Sequence, residues 1–135
     1  MLRASGLPPS RLVVELTESV MLGGAPAARN ELAQLDELGV RLVVDDFGTG
    51  FSALSYLRDL PVSGIKVDRS FTAGLGVDHQ CERIVEALMG LGRGLGMDVV
   101  VEGVETARQR DLLSGIGCEH AQGFLFGRPA PSFVR

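Results

Sequence analysis

Two adjacent carboxylates, Asp45 and Asp46, directly follow an apolar run at 42–44 that is typical of a buried strand. Gly48 and Gly50 come next, and glycines in a turn allow backbone N–H groups to approach a bound ligand closely. Adjacent carboxylates at the end of a strand, next to such a turn, favour a divalent cation that faces a phosphate. A pair of aspartates before a turn is also a common solvated turn, so this motif alone leaves both interpretations open.

Polar residues stand at the end of every predicted strand. They are Glu15, Asp45, Lys66, Glu102 and Gln122, separated by about 20 to 36 residues. Each of these gaps fits one strand and one helix. Carboxylates that converge without a His or Cys cluster favour a hard cation with oxygen ligands, so we expect Mg²⁺ or Mn²⁺ rather than zinc. Two such ions would activate a water and stabilise the leaving oxygen of a phosphodiester.

The elements that must position these residues alternate between strands and helices. The sequence predicts strands over 12–16, 40–45, 64–68 and 97–102 and within 118–126, and helices over 26–38, 52–57, 78–95 and 107–116. Prolines and glycines up to Pro9 place the first element near Arg11. Thr106 and Gln109 have capping-box spacing for the last helix. Glycines at 90, 92 and 94 are expected to weaken the end of the preceding helix.

This order of elements predicts an α/β fold with parallel strands joined by right-handed crossovers. An open doubly wound sheet satisfies the same order. The polar residue at the end of each strand favours a (β/α)₈ TIM-like barrel, because barrel active sites are built from the carboxyl ends of several strands.

Composition excludes several classes of protein. The 135 residues are 45% hydrophobic and 22% charged, which fits one domain with a core. A net charge of −4 without a Lys/Arg block argues against DNA or RNA as a partner. Apolar runs shorter than about 18 residues, and no signal peptide, predict a cytoplasmic protein without membrane contact. Cys81 and Cys118 lack metal-ligand spacing and are expected to be reduced.

The segment DDFGTGFS at 45–52 resembles the signature loop of the EAL-domain family of cyclic-di-GMP phosphodiesterases. Four further segments match the family in its order, namely ELTE from Glu15, KxD from Lys66, EGVE from Glu102 and QGFLFGRP from Gln122. The resemblance implies that residues 1–135 are a partial EAL domain, the C-terminal five or so strand-helix units of the barrel. It also implies cyclic-di-GMP, a bacterial second messenger in signalling, as the ligand.

The resemblance further implies a role for each matched residue. Implied metal ligands are Glu15, Asp45, Asp46 and Glu102, and implied contacts of the attacking water are Lys66 and Gln122. Implied substrate or loop residues are Glu18, Gly48, Thr49, Gly50, Phe51, Asp68, Glu105 and Pro129. Glu18 would support the DDFGTG loop through hydrogen bonds.

Simpler roles stay open for several of these residues. Glu15 and Glu102 could be acids at the barrel rim that pair with Lys or Arg. Glu105 could replace Glu102 as the ligand, and Lys66 could form a structural ion pair with Asp68. The histidines at 79 and 120 have no paired spacing and are expected at the surface or in packing.

The family's Glu-Ala-Leu motif, and an Asn on the next strand, precede the ELTE segment and have no counterpart before Glu15. A complete barrel takes about 250 residues. We therefore expect a fragment of a magnesium- or manganese-dependent hydrolase that yields the linear dinucleotide only in the intact barrel. The alternative is an inactive, degenerate EAL module that binds cyclic-di-GMP or a partner protein. Expected partners are a second copy of the chain or the upstream domain of a longer protein.

Overall fold

Five parallel strands form the frame of the molecule. The computed structural model describes residues 2–17, 20–21, 26–50 and 53–131. The strands are β1 (Val13–Thr17), β2 (Arg41–Phe47), β3 (Gly64–Val67), β4 (Asp98–Val101) and β5 (His120–Ala121). The helices are α1 (Leu2–Ser5), α2 (Pro26–Glu37), α3 (Ala53–Asp59), α4 (Arg69–Ala73), α5 (His79–Leu95) and α6 (Ala107–Gly115), with a 3-10 helix at Pro9–Arg11.

The strand order decides between the two predicted α/β architectures. Each strand pairs in parallel with the one before it, in the order β1-β2-β3-β4-β5. A doubly wound sheet reverses its order at a switch point, whereas a barrel adds every strand beside its predecessor. The prediction of a partial TIM-like barrel is confirmed. In the described part of the chain, the outer edges of β1 and β5 are open.

The two faces of the sheet have different environments. Leu42, Val44, Ile65 and Val67 are fully buried and belong to a core cluster with residues of α5 and α6. Because side chains alternate along a strand, their neighbours face the other, concave side of the sheet. Val13 on that side is 44% exposed. The concave side is therefore the surface that a closed barrel would enclose.

Element boundaries follow local capping chemistry. Asp68 and Asp78 accept hydrogen bonds from the backbone N–H groups two residues later and so begin α4 and α5. The predicted capping box of Thr106 and Gln109 is present at the start of α6. Gly96, at φ +67°, ends α5.

The structure differs from the predicted elements at one boundary and in one additional helix. Regular structure begins at Leu2 rather than near Arg11, because Gly6, at φ +68°, and the prolines at 8 and 9 come after the four residues of α1 and do not restrict them. The sequence reading missed α4, whose five residues are too few to show a helical repeat. The last strand, predicted within 118–126, is confirmed as the short β5, after which the chain turns at Gln122–Gly123. No helix among the described residues is long and apolar enough to cross a membrane.

The glycines near the end of α5 have different roles. Gly92 is buried, and a Cβ placed there would lie 2.1 Å from the Val99 Cγ2 atom of β4. Gly90 has no atom within 4 Å of such a Cβ. Gly92 therefore allows α5 to approach the sheet closely, a constraint that helix propensity alone does not reveal.

Alanine at these two glycines is expected to change stability in opposite directions. Gly92→Ala should lower the free energy of unfolding by about 1 to 3 kcal/mol, because the added methyl group overpacks the contact with Val99. Gly90→Ala should raise it by about 0.5 to 1 kcal/mol through better helix propensity. Urea denaturation of the three proteins measures both effects. Equal stabilisation by the two substitutions would contradict the close-packing role.

Candidate active site

Three carboxylates converge at the carboxyl end of the sheet. Asp45 and Asp46 come from β2, Glu102 follows β4, and one oxygen of each lies within 4.8 Å of the others. Adjacent residues of a regular strand point to opposite faces. Here a register shift between Val44 and Phe47, with Asp46 at φ +53°, lets both aspartates join one cluster.

The turn after these aspartates is held by local contacts. The Asp46 N–H donates to Asp45 Oδ1 at 2.9 Å, and the Thr49 hydroxyl donates to the Asp46 carbonyl at 2.8 Å. Gly48 is at φ +98°, and a Cβ there would lie 2.9 Å from Cε2 of Phe71. The position therefore requires glycine both for its backbone angle and for space.

Lys66 lies among the acids rather than beside Asp68. Its Nζ is 2.7 Å from Glu102 Oε1, 2.9 Å from Glu15 Oε1 and 3.9 Å from Asp45 Oδ1. Only 9% of its side chain is exposed, and a buried ammonium is costly unless it is paired. The simpler pairing of Glu15 and Glu102 with a lysine is therefore present in this structure.

Burial and hydrogen bonding act against each other at Lys66. Burial alone would lower the pKa of Lys66, but hydrogen bonds to Glu102 and Glu15 outweigh it, so the pKa lies above that of a free lysine. Lys66 is therefore a cation at neutral pH.

The acids around Lys66 still carry an excess of negative charge. Burial raises the pKa of Glu102, although hydrogen bonding to Lys66 opposes the rise. Burial also raises the pKa of Asp46, and the charge of Asp45 and a hydrogen bond to Asp68 add to it. A further cation would relieve this repulsion. Because every donor in the cluster is a carboxylate oxygen, the residues fit a hard cation such as Mg²⁺ or Mn²⁺.

The concave side of the sheet forms a cleft of about 260 Å³ next to the acids. Glu15, Lys66 and Gln122 line it, so the structure brings Gln122 to the same space as the lysine. His120 also lines this cleft and is exposed, whereas His79 pairs with Glu82 at the surface.

Other residues singled out from the sequence are not members of the acid cluster, although Asp68 lies beside it and shares a side-chain hydrogen bond with Asp46. Asp68 caps α4, and its carboxylate accepts from the Ser70 N–H at 2.9 Å. Glu105 is exposed and contributes its backbone N–H to Gln109, while Pro129 is exposed in the segment after β5. Gly50 is exposed in the turn after β2. Glu18 and Phe51 are outside the described residues.

Sequence reasoning missed the buried polar residue Thr72. It lies on α4, and its side chain is fully buried. The available signal was Asp68, a preferred N-cap residue directly after a predicted strand, which would have placed Thr72 on the helix that follows. The two cysteines, Cys81 and Cys118, are half-buried and are not bonded to each other.

Comparison with known proteins places this arrangement among EAL domains. The family model described as EAL domain matches residues 1–129. MucR of Pseudomonas aeruginosa, a bifunctional diguanylate cyclase/cyclic di-GMP phosphodiesterase, is 47% identical over 126 residues, which are 93% of this chain and 18% of MucR.

Two solved structures show the same fold. The phosphodiesterase of P. aeruginosa MucR in complex with c-di-GMP superposes with a TM-score of 0.88 at 46% identity, covering 97% of this chain and 53% of that one. The manganese and c-di-GMP complex of Klebsiella pneumoniae BlrP1 gives a TM-score of 0.89 at 36% identity, covering 96% and 33%. This chain thus spans about half of the solved MucR domain and less than a fifth of the curated MucR sequence.

Proposed function

Since this chain belongs to the EAL domain family, we propose that residues 1–135 are the C-terminal part of a cyclic-di-GMP phosphodiesterase domain. The observation that carries the proposal is the convergence of Asp45, Asp46 and Glu102 beside the charged Lys66. The c-di-GMP complexes of MucR and BlrP1, which share this fold, support the choice of ligand.

Asp45, Asp46 and Glu102 would hold Mg²⁺ or Mn²⁺, and Glu15 would join them once Lys66 moves to the substrate. When bound, such ions lower the pKa of a water and neutralise the charge of a phosphodiester. The shift of the Lys66 ammonium away from Glu15 and Glu102 would free the carboxylate oxygens that it now occupies.

Hydrolysis adds one water across a phosphodiester bond and opens the cyclic dinucleotide. The water oxygen forms a bond to phosphorus, the bond from phosphorus to one ribose oxygen breaks, and that oxygen takes a proton. Lys66 retains its own proton and can donate hydrogen bonds to the attacking water or to a phosphate oxygen. Gln122, which lines the same cleft, can orient that water through its side-chain amide. The product would be the linear dinucleotide.

Asp45→Asn is expected to weaken Mn²⁺ binding by at least about tenfold, because an amide is a poorer ligand than a carboxylate for a hard cation. Calorimetric titration of Mn²⁺ measures the change. Asp98→Asn is the matched control, since Asp98 lies on the same cleft at the other end of the sheet and pairs with Arg41. Equal Mn²⁺ affinity in the wild-type chain and Asp45→Asn would exclude Asp45 as a ligand.

The reaction itself is tested in a completed barrel, by which we mean this chain joined to the upstream strands of an EAL domain. Cyclic-di-GMP is the substrate. Manganese-dependent appearance of the linear dinucleotide, followed by chromatography and abolished by EDTA, would support the phosphodiesterase. Binding of cyclic-di-GMP without turnover would instead favour the degenerate binding module.

A further inference from the structure

Two buried polar side chains, Thr72 on α4 and Gln109 on α6, lie behind the acid cluster. Thr72 is fully buried and Gln109 is 9% exposed. Neither belongs to the acid cluster or lines the cleft. Burying two polar side chains is costly unless all their hydrogen bonds are made, so their contacts show what they hold in place.

The contacts run from α6 through α4 to the backbone of Glu102. The Thr72 hydroxyl donates to the Glu102 carbonyl at 2.5 Å. Gln109 Nε2 donates to the Thr72 carbonyl at 3.1 Å. Gln109 Oε1 accepts from the N–H groups of Glu105 at 2.9 Å and Thr106 at 3.1 Å. The two side chains thus fix both ends of the turn that carries Glu102.

Two further contacts hold the same turn. The Glu102 N–H donates to the Val67 carbonyl at 3.1 Å. Gly103 has φ +75°, and a Cβ there would lie 2.5 Å from the Arg69 Cβ atom, so the backbone rests directly on α4. With the N–H and the C=O of Glu102 both engaged, its backbone has little freedom to rotate, and the direction in which its side chain leaves the backbone is fixed.

We propose that Thr72 and Gln109 are positioning residues for the Glu102 carboxylate, a role that rests on the proposed metal-binding function of Glu102. Neither would touch a metal held by the acid cluster, because both act on Glu102 through its backbone. Outer residues that orient a metal ligand change metal affinity typically by about 10- to 100-fold when they are lost. A residue that serves only to satisfy the core would change stability and leave metal affinity intact.

Four substitutions separate the two roles. Thr72→Val removes the hydroxyl and keeps the shape, whereas Thr72→Ser keeps the hydroxyl. Ser63→Ala is the matched control, because the Ser63 hydroxyl also donates to a carbonyl, that of Leu42 at 3.1 Å, but at the opposite end of the strands. Gln109→Glu keeps the acceptor of the helix cap, replaces the donor to Thr72 with an oxygen and adds a carboxyl group. It tests the same link if Thr72→Val does not fold, because an added negative charge alone would strengthen cation binding rather than weaken it.

Each variant is titrated with Mn²⁺ alone, and backbone amide exchange at residues 102–105 is measured without metal. We expect Thr72→Val and Gln109→Glu to bind Mn²⁺ about tenfold more weakly or worse, with faster exchange at 102–105. Thr72→Ser and Ser63→Ala should stay within about twofold of the wild type in both measurements, on the same reasoning.

Unchanged Mn²⁺ affinity and unchanged exchange in Thr72→Val would overturn the positioning role while leaving the metal site standing. If the wild-type chain binds no Mn²⁺, the proposed metal-binding function of the acid cluster is rejected. Amide exchange alone then decides whether Thr72 and Gln109 position Glu102. Faster exchange at 102–105 in Thr72→Val, absent from Thr72→Ser, then supports it, and equal exchange in all variants rejects it.

Discussion

Lys66→Met is expected to strengthen metal binding and to abolish turnover. The Lys66 ammonium lies 2.7 to 3.9 Å from carboxylates of Glu102, Glu15 and Asp45, where it competes with a metal ion for the same negative charge. Its loss should tighten Mn²⁺ binding by roughly tenfold, since a repulsive charge is removed. In a completed barrel, turnover should fall by about 100-fold or more, because no charged donor would face the attacking water.

The same substitution should destabilise the metal-free chain. Removing one partner of a buried ion pair lowers the free energy of unfolding by about 3 to 5 kcal/mol. Because Glu15 and Glu102 are partly exposed, we expect a smaller loss here, of roughly 2 to 3 kcal/mol. Thermal unfolding with and without Mn²⁺ should show a lower Tm for Lys66→Met and a larger increase on adding metal. Lys66→Arg, which keeps the charge, is the control. Weaker Mn²⁺ binding in Lys66→Met would mean that the lysine supports the metal site instead of competing with it.

The chain alone is expected to self-associate and to show no hydrolysis of cyclic-di-GMP. Within the described residues, β1 and β5 have open outer edges, and the apolar side chains of Val13, Val43 and Val100 line the open concave side. Unpaired strand edges next to an apolar face recruit another strand or a second copy. Light scattering after size exclusion measures the mass. A stable monomer that hydrolyses the dinucleotide would contradict this prediction, because five strands would then suffice for both the core and the active site.

Much of this arrangement could be predicted from the sequence because it depends on local pattern. Alternating strands and helices placed Glu15, Lys66 and Glu102 at the carboxyl ends of parallel strands, which meet at one end of a barrel. The structure brings these three side chains into contact. The capping box at Thr106 and Gln109 was also predictable, since it depends only on residue types and spacing.

The remainder depends on tertiary contacts that spacing does not encode. A regular strand would separate the carboxylates of Asp45 and Asp46, and only the bulge and the positive φ of Asp46 bring them together. The short helix α4 has too few residues for a periodic signal, yet it carries Thr72 beneath Glu102. Lys66 pairs with Glu15 and Glu102 rather than with Asp68 because of the register in which β1, β3 and β4 lie in the sheet, and a sequence does not state that register.

We propose that these acids and Lys66 form the metal-dependent half of a cyclic-di-GMP hydrolysis site. A hybrid in which this chain replaces the matching half of the MucR phosphodiesterase domain tests it most directly, because the two share 46% identity and a TM-score of 0.88 over that half. We predict Mn²⁺-dependent release of the linear dinucleotide by the hybrid, reduced about 100-fold or more by Asp46→Asn and unchanged by Asp98→Asn. A folded hybrid that binds cyclic-di-GMP without hydrolysing it, or that hydrolyses it equally well with Asp46→Asn, would contradict this assignment of the site.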